Sequence, residues 1–459
     1  MAELDENKYA YRVKDSGDSD WTIEVATGGF PQSFEGEGET EYEVKVKVWS
    51  DSAFITTGQS SFVPVSKPSG VNVQIPFNIE RNGNVYRPEL SFNLLDYANV
   101  TVTKTYYVDS VNGNDAFDGL SENTPIKTLT EASSRGDAQR LFLKRGSVWQ
   151  KNQRPTQFNG SMLFQTYGTG NKPRITSLVS NQVGILTKTS NYWSGSVGDN
   201  VANVIDTSVS GTNGLGLRLT NAGSIAGVDS TPNSFYLSGS TIYIRLNDDR
   251  TPDSSVEYYD ALALRTDDEN CTQYFENIEI NGAFQARAGV AGGLKCLMLN
   301  CDFKKVSNPQ FWGCEPSIIW DCTSNIFGDD CINIDDSNGV QGNHIEIDCS
   351  LTSNALGSTS SQSSTAHNTS LACRIGGQYF NVAGQCIADV NSSQSWNMGM
   401  SLSDSALGVG FYIEGETWVE GTDFGTNAKG ITVTVGSTFH YKNNSPDVIV
   451  SGGGTYVAY

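Results

Sequence analysis

The sequence has no long hydrophobic run. No window of about 20 consecutive apolar residues, the length that a helix needs to cross a bilayer, occurs in its 459 residues. The first residues, MAELDENKYAYRV, are acidic and lack the apolar core of a secretory signal peptide. We therefore expect no membrane span and no export signal, and we expect the chain to fold in a reducing cytoplasm.

Basic residues are scarce relative to acidic ones. Lys and Arg number 30 against 51 Asp and Glu, which gives a formal net charge of −21. This charge repels a phosphate backbone, so nucleic acid is not an expected partner. A glycan that is neutral, or that meets a few local basic residues, is compatible with the charge. So is an acidic surface that only keeps the protein in solution.

Cysteine is absent from the first 270 residues. All nine cysteines lie between Cys271 and Cys386, and no two of them have the CxxC spacing of a zinc site. An odd number confined to one region favours buried thiols over a disulfide framework. Cys301, Cys322 and Cys349 each follow a strand-like run of the same shape, which predicts a stack of thiols inside the fold. We expect no metal site and no cofactor.

Alternating apolar and polar residues predict β-strands in the first hundred positions. Apolar residues alternate with charged ones from Tyr42 to Val48, and a second such run covers 71–79. This pattern predicts a small antiparallel β-sandwich over residues 1–103, serving attachment or an accessory contact. Its segment SGVNVQIPFNIERNGNVYRPELSF resembles the immunoglobulin-like modules called BACON domains, found in Bacteroidetes proteins and in phages that infect these bacteria.

A strand, a turn-rich loop and a helix start follow one another between Tyr106 and Leu129, in YYVDSVNGNDAFDGLSENTPIKTL. The Asp and Asn oxygens of the loop suit Ca²⁺, but the loop lacks the EF-hand spacing and closing Glu, and turn formation accounts for its composition. The stretch resembles the opening of right-handed parallel β-helix proteins of the pectate-lyase type. There, such a strand and helix cap the first coil.

Short apolar runs recur from residue 263 onward, for example LKCLMLNCDF, SIIWDCTSNIF and NHIEIDCSL. Their spacing of about 20 residues is typical of stacked β-coils. Residues 186–262 interrupt the pattern with a Ser/Gly/Asn-rich passage and a hairpin at Ser238-Gly239, which predicts a lateral insertion. We therefore predict an all-β chain: a small antiparallel β-sandwich, then a right-handed parallel β-helix over 104–459.

The passage from His367 to Met398, with VGFYIEGETWVE after it, resembles the later coils of β-helix proteins in bacteriophage tails and tail spikes. The resemblance implies a virion protein of the tail that recognises a host-surface polysaccharide and folds in the host cytoplasm. It also implies a homotrimer whose N-terminal domain contacts other tail proteins.

The densest acidic cluster is GDDCINIDD, residues 328–336. Glycoside hydrolysis needs one carboxyl group that keeps its proton and one that is ionised, and crowded carboxylates separate their pKa values in this way. The candidate catalytic residues are Asp329, Asp330, Asp335 and His344.

Part of this cluster resembles a known family. Gly328-Asp329-Asp330-Cys331 is similar to the aspartate pair of polygalacturonases, and Arg374-Ile375 falls where their Arg-Ile-Lys motif is expected. The sequence departs from that family in three ways. The third aspartate in its Asn-Thr-Asp context is missing, Gly342-Asn343-His344 replaces Gly-His-Gly, and Gly376 replaces the lysine. An Asp/Asn-rich turn between coils therefore remains an alternative to a catalytic cluster.

Aromatic rings offer another way to bind sugar, because a pyranose face packs on an indole ring. The candidate substrate-binding residues are Trp312, Arg374, Trp396 and Trp418. A lyase would instead need a base and a nearby cation, for which Lys304 and Lys305 are further candidates. His367 is either such a base or an ordinary surface histidine.

Three functions follow from these observations. The first is a virion adhesin that binds host glycan without cleaving it, or a purely structural tail part. The second is a polysaccharide depolymerase of the same fold, either a hydrolase or a lyase. The third is a bacterial polysaccharide enzyme outside any virion, against which the lack of an export signal counts.

Overall fold

The computed structural model describes residues 62–135, 140–155, 157–179, 186–197, 200–210, 214–305, 309–327, 330–353, 361–444 and 448–459, together with the backbone of three earlier strands. The chain divides into two compact units, Met1–Phe62 and Val63–Tyr459. In the first unit, β1 (Tyr9–Val13) pairs antiparallel with β2 (Thr22–Val25) on one side and β3 (Lys45–Val48) on the other.

Residues 63–103, which we call the strap, begin the second unit. They contain β4 (Val63–Pro64), β5 (Ile79–Asn82), β6 (Val85–Pro88) and helix α1 (Leu94–Ala98). The three strands form one antiparallel sheet. The Asn93 side chain caps α1 by accepting a hydrogen bond from the Asp96 N–H.

The solenoid begins with a cap and its first coils. In chain order these are β7 (Thr105–Val108), α2 (Leu129–Ser134), β8 (Arg140–Lys144), β9 (Val148–Trp149), a 3₁₀ turn (Lys151–Gln153), β10 (Gln157–Phe158), β11 (Met162–Tyr167) and β12 (Arg174–Thr176). Leu129 and Ala132 of α2 are buried with Tyr106 against the first coil. The helix thus covers the core at this end.

The segment for which the sequence predicts an insertion folds as two small sheets. Its elements are β13 (Thr187–Thr189), β14 (Tyr192–Ser196), β15 (Asn203–Asp206), β16 (Leu217–Arg218), β17 (Thr220–Asn221), α3 (Ile225–Ser230), β18 (Ser234–Ser238), β19 (Thr241–Arg245) and β20 (Val256–Tyr259). One sheet has the order β13-β14-β19-β18-β17 and the other β16-β15-β20.

The remaining strands complete the solenoid. They are β21 (Leu262–Asp268), β22 (Thr272–Glu276), β23 (Glu279–Asn281), β24 (Ala283–Ala288), β25 (Lys295–Leu299), β26 (Asp302–Lys305), β27 (Gln310–Trp312), β28 (Ser317–Trp320), β29 (Thr323–Ile326), β30 (Asn333–Asp335), β31 (Asn343–Ile347), β32 (Ser350–Ser353), β33 (Ser364–Ala366), β34 (Leu371–Ile375), β35 (Gln378–Val382), β36 (Ile387–Asp389), β37 (Gln394–Met398), β38 (Ser401–Ser405), β39 (Val409–Ile413), β40 (Glu416–Glu420), β41 (Asp423–Phe424), β42 (Gly430–Val433), β43 (Thr438–Lys442), β44 (Ile449–Gly452) and β45 (Thr455–Ala458).

These strands stack into three long parallel sheets. Sheet 1 has 12 strands from β7 to β45, sheet 2 has nine from β9 to β41, and sheet 3 has ten from β10 to β44. Each regular coil adds one strand to sheet 1, then to sheet 2, then to sheet 3. No single coil can bury its own inner face, so stacking between coils creates the core. The insertion lies on the connection from sheet 2 to sheet 3, between β12 and β21.

The interior is filled by inward-pointing residues of the three sheets. Phe164 and Phe275 on neighbouring strands of sheet 1 stack with ring centroids 4.7 Å apart. All nine cysteines are buried free thiols. Cys301, Cys322 and Cys349 belong to one core cluster, and the Cys301 N–H donates to Cys322 Sγ at 3.4 Å. The predicted internal thiol stack is confirmed.

The corner from sheet 1 to sheet 2 repeats one backbone conformation. Asn277, Asn300, Asp321 and Asp348 have φ angles of 60°, 50°, 50° and 49°, the left-handed region that Asn and Asp tolerate best after glycine. Asn300 Nδ2 donates to Asn277 Oδ1 at 2.6 Å. Burial, and then the charge of Asp321, raise the pKa of the Asp348 carboxyl to about 6.

The predicted fold class is confirmed: the protein is all-β, with a parallel β-solenoid and a small antiparallel sheet in the N-terminal region. No helix in the described ranges is long and apolar enough to span a membrane.

The segment 63–103 differs from the expected sandwich. Val71 and Val73 lie outside the strands of this segment, and their side chains pack in one cluster with residues of the outer face of sheet 1. The alternation in this segment therefore reflects one face turned to the solenoid and not one face of a sandwich. Most of residues 1–62 fall outside the described ranges, so a sandwich there stays a prediction.

Candidate functional site

Two predicted site residues lie inside the solenoid. His344 on β31 and Arg374 on β34 have no solvent exposure. Ser317 Oγ lies 2.5 Å from His344 Nδ1, and Arg374 Nη1 donates to Asp389 Oδ1 at 3.1 Å. A polymer outside the solenoid cannot contact either side chain. The predicted catalytic role of His344 and the predicted substrate contact of Arg374 therefore do not fit this geometry.

Arg374 is the centre of a buried ionic network. Its Nε lies 3.5 Å from Glu346 Oε1 and donates to Ser364 Oγ at 3.0 Å. Tyr379 donates to the other Glu346 oxygen at 2.9 Å. Burial raises the pKa of Glu346, whereas Asp389 and Glu346 together outweigh burial and raise the pKa of Arg374. The carboxylates of the network are all paired from within the core, while Arg374 Nη2 has no hydrogen-bond partner among the described residues. Pairing of buried charges inside the core is the pattern of a structural ion network.

Burial acts in the opposite direction on the neighbouring imidazole. Burial, and then the charge of Arg374, lower the pKa of His344 well below its ordinary value. His344 Nε2 is 3.6 Å from Glu346 Oε1. The ring is therefore neutral in the neutral pH range and contributes packing and polarity to the core, including a contact of 4.7 Å between its centroid and that of Phe311.

Two further predicted residues lie beneath the strap. Trp396 and Trp418 point out from sheet 1 but are only 1% and 2% exposed. Both belong to the cluster that includes Val71, Val73 and Tyr86 of the strap. Neither indole has a face open to a sugar, so the prediction that they bind substrate does not fit the structure.

Trp312, Asp330 and Asp335 share the outer side of sheet 3. Trp312 on β27 and Asp335 on β30 are direct neighbours in the strand register. Asp330 lies at the corner that leads into β30, where it bridges to the coil above at Gln362. Asp329 lies outside the described residues. The structure thus brings together three of the eight predicted site residues, and we call their surroundings the sheet 3 surface.

Asn333 connects the members of this surface. Trp312 Nε1 donates to Asn333 Oδ1 at 3.2 Å, and Asn333 Nδ2 donates to Asp330 Oδ2 at 3.1 Å. Asn333 Nδ2 also lies 3.3 Å from His367 Nε2, which is 3.9 Å from Asp330 Oδ2. These contacts hold an indole, an amide, a carboxylate and an imidazole in one row along neighbouring coils.

The two carboxylates have different surroundings. The Asp330 side chain is 8% exposed, and its Oδ1 has no hydrogen-bond partner among the described residues. Asp335 is half-buried, and its Oδ1 accepts from Asn368 Nδ2 and from the Asp336 N–H. A buried carboxylate and a more exposed one on the same face can in principle take the two roles of acid and base.

Arg287 supplies positive charge beside Trp312. Its guanidinium lies 5.7 Å from the centroid of the indole ring, and its Nε donates to Ser337 Oγ at 3.2 Å. Arg287 is the register neighbour of Trp312 on β24. The pair combines an apolar ring with hydrogen-bond donors, as sugar recognition requires.

The insertion borders this surface at the corner between sheets 2 and 3. Phe327 is buried in one cluster with Ile205, Leu215 and Tyr259 of the insertion. Arg218 Nη1 donates to the Phe327 carbonyl at 2.9 Å. The insertion is therefore anchored three residues before Asp330 in the sequence.

The acidic loop after β7 is a turn scaffold. Asp109 Oδ1 accepts from the Val111 and Asn112 N–H groups at 2.9 and 3.1 Å, and Asp115 Oδ1 accepts from the Thr128 N–H at 2.8 Å. No group of three or more His, Cys, Asp or Glu side chains suited to a metal ion occurs among the described residues.

Sequence reasoning missed Arg287 and Asn333 and left His367 open. The sequence did contain a pattern that marks outward positions. On β27 the buried Phe311 separates Gln310 from Trp312, and on β30 the buried Ile334 separates Asn333 from Asp335. Only the register between coils shows that these outward positions are neighbours.

Comparison with known proteins gives limited similarity. No protein-family model matches the chain, and no curated protein matches it. Four chains of solved structures match. Among them are the native and selenomethionine forms of a GH136 lacto-N-biosidase from Eubacterium ramulus. Each is 12% identical and covers 77% of this chain and 67% of its own, with TM-scores of 0.31 and 0.32. No functional conclusion rests on a likeness this distant.

Proposed function

We propose that the protein binds a polysaccharide along the sheet 3 surface. The observation that carries the proposal is the row of Trp312, Asn333, Asp330 and His367, joined by contacts of 3.1 to 3.9 Å on adjacent coils. The indole offers an apolar surface to the C–H groups of a sugar, and the neighbouring polar groups offer donors and acceptors to its hydroxyls.

The solenoid favours such binding through its rigidity. Strands β24, β27 and β30 are paired in a continuous parallel ladder, so the spacing of Arg287, Trp312 and Asp335 is fixed before any ligand arrives. A preorganised surface loses little conformational entropy when it binds a flexible polymer. A regular stack of coils also presents a regular row of positions to a repeating chain.

The test is binding of purified protein to capsular polysaccharide and lipopolysaccharide from a panel of bacteria, followed by biolayer interferometry. Trp312→Ala is expected to weaken binding about tenfold or more, because loss of one sugar–aromatic contact costs roughly 1.4 kcal/mol or more. Trp193→Ala in the insertion is the matched control, since Trp193 is also half-buried with a cation, Lys188, over its ring at 5.6 Å. Equal affinities of both variants for a glycan that the wild type binds would reject the sheet 3 surface.

Cleavage of the bound polymer is the second candidate function. The observation that favours it is the unequal burial of Asp330 and Asp335 on one face, with His367 beside Asp330. In this proposal one carboxyl donates a proton to the leaving glycosidic oxygen, and the other activates water or attacks the anomeric carbon. A lyase would instead remove a proton next to a uronate carboxylate and leave an unsaturated product.

Cleavage is measured by size-exclusion chromatography of the polysaccharide, with ultraviolet absorbance to detect unsaturated ends. Asp330→Asn is expected to abolish shortening of the polymer. Asp404→Asn, which changes an exposed aspartate elsewhere, is expected to leave it intact. This result, without any unsaturated product, would support hydrolysis. Binding without any shortening would leave an adhesin and reject the depolymerase for those substrates.

We further propose that the bound glycan belongs to a bacterial surface and that the protein is a phage tail spike, folded in the host cytoplasm. The support is the resemblance of Tyr106–Leu129 and His367–Met398 to β-helix tail proteins. In this setting the N-terminal part contacts other tail proteins, and three chains of 49.6 kDa form a homotrimer. Mass spectrometry of purified virions and light scattering of the purified protein test these points. Absence from virions would reject the tail role, and a monomer mass would reject the trimer.

A further inference from the structure

A cavity lies between part of the strap and the solenoid, where the chain passes from sheet 3 to sheet 1. Its volume is about 490 Å³, within the range of small-molecule sites. The strap contributes Gln74 and Tyr97 to its wall, and the solenoid contributes Glu315, Gln341 and Leu371. None of these residues belongs to the sheet 3 surface.

The strap wall of this cavity is held in place by side-chain amides of sheet 1. Asn343 Oδ1 accepts from the Gln74 N–H at 3.1 Å, and Asn343 Nδ2 donates to the Gln74 carbonyl at 2.8 Å. Two coils further, Gln394 forms a similar pair of contacts, accepting from the Asn72 N–H at 2.5 Å and donating to the Gly70 carbonyl at 3.0 Å. The cavity is therefore preformed and does not depend on a ligand to order the strap.

The cavity combines an apolar floor with a polar rim. Leu371 and Pro316 are buried in its base, and the half-buried ring of Tyr97 stands beside them with Lys295 Nζ 4.6 Å from its centroid. The exposed side chains of Gln74 and Gln341 lie at the rim. A sugar ring has this same division, with C–H groups on its faces and hydroxyls around its edge.

The charge around the cavity bears on the kind of sugar that fits it. The exposed carboxylate of Glu315 lies at the rim, and the whole chain has a formal charge of −21. Both oppose a uronic or sialic acid, although Lys295 beside Tyr97 supplies a positive charge. A carboxylate also accepts hydrogen bonds well from neutral hydroxyls.

We propose that this cavity is a binding site for a neutral saccharide, separate from the sheet 3 surface. Because the argument rests on the cavity alone, it does not require the function proposed for sheet 3. If both sites bind the same polymer, two contacts on one rigid body raise the apparent affinity by slowing release.

The test is saturation-transfer NMR with three neutral probes, maltohexaose, cellohexaose and N-acetylchitotriose, and one anionic probe, a polygalacturonate oligomer. At least one neutral probe is expected to bind the wild type and Trp312→Ala equally. Gln341→Ala and Tyr97→Ala are expected to weaken that binding about tenfold. Gln341 is an exposed residue. Tyr236→Ala, which changes a half-buried tyrosine of the insertion, is the control for Tyr97→Ala.

The possible results separate this proposal from the sheet 3 surface. Loss of binding in Gln341→Ala with retention in Tyr236→Ala supports the cavity even if Tyr97→Ala loosens the strap. Failure of every neutral probe, binding that Gln341→Ala and Tyr97→Ala leave unchanged, or loss of binding in Trp312→Ala alone overturns it. Stronger binding of the polygalacturonate probe overturns the preference for neutral sugars.

Discussion

Arg374 shows at the scale of one residue why a charged side chain can occupy the core. Two carboxylates, Glu346 and Asp389, approach its guanidinium, and Ser364 and Asn397 accept further hydrogen bonds. The charge is therefore compensated within hydrogen-bond distance on several sides. Removing one member of such a network leaves the others charged and without water.

We predict that Arg374→Ala lowers the free energy of unfolding by about 3 to 5 kcal/mol, because it strands two buried carboxylates. The control is Arg174→Ala, because the Arg174 side chain is 44% exposed and its partner Glu279 keeps a second cation, Lys304, 2.8 Å away. It is expected to cost less than about 1 kcal/mol. Urea denaturation followed by circular dichroism measures both. Similar losses in the two variants would contradict a structural role for the buried network.

Asp348 provides a prediction of pH dependence. Its pKa in the folded protein is about 6, above the 3.8 of an ordinary aspartate. A raised pKa means that the folded state favours the protonated form. The contribution of protonated Asp348 to the stability of the folded state is therefore complete below about pH 4 and is lost as the pH rises through 6.

We predict that Asp348→Asn raises the free energy of unfolding by about 2 kcal/mol near pH 8 and changes it little near pH 4. Asparagine tolerates the left-handed backbone, as it does at Asn300 in the same corner. Asp404→Asn is the control, because Asp404 has the same backbone conformation but an exposed side chain. Thermal melts at the two pH values measure the change in stability. An equal shift of the melting temperature at both pH values would contradict the raised pKa of Asp348.

At the scale of the element, sheet 1 explains why the sequence predicted the fold but misplaced part of the site. In NHIEI and LACRI the apolar residues predict the inner face, yet Ile345 and Ile347 point outward and His344 and Glu346 point inward. Alternation fixes which residues share a face but not which face is the core. The strap covers the outer face, so both faces of this strand are buried.

The sheet 3 surface was accessible to sequence reasoning only in part. Trp312, Asp330 and Asp335 could be selected because aromatic and acidic side chains are informative by type. Arg287 and Asn333 become neighbours of Trp312 only through the pairing of β24, β27 and β30. That pairing depends on coil lengths, which vary with the turns and cannot be read from one strand. The cap at Tyr106–Leu129 and the thiol stack were predictable because each has a local pattern.

The strap gives a prediction about one element. Gln394→Ala removes both hydrogen bonds to the strap backbone at Gly70 and Asn72, which leaves a donor and an acceptor without these partners. We expect a loss of about 1 to 3 kcal/mol and faster hydrogen exchange in strap amides. Gln378→Ala on the exposed side of sheet 2 is the control. Unchanged strap exchange in Gln394→Ala would show that apolar packing alone holds the strap.

At the scale of the whole molecule, the boundary between the two units predicts what truncation does. A chain of residues 63–459 is expected to keep its β-sheet circular dichroism and a melting temperature within about 2 °C of the full chain. A chain of 104–459 lacks the strap and exposes the cluster that includes Trp396 and Trp418, so we expect it to aggregate. Light scattering and melting curves distinguish the two. A 104–459 chain that stays free of aggregates and melts like the full chain would contradict the role of the strap.

The outer faces of sheet 1 and sheet 3 differ in what covers them. The strap gives sheet 1 a second hydrophobic layer, while sheet 3 keeps an outer face with polar and half-buried side chains. Substitutions of the half-buried residues on that face disturb neither layer, so the protein can exchange them at little cost in folding. Under the proposed glycan binding, a lineage that meets a changing glycan alters its specificity through the half-buried residues of sheet 3, while residues of the strap and sheet 1 must vary together to preserve their packing.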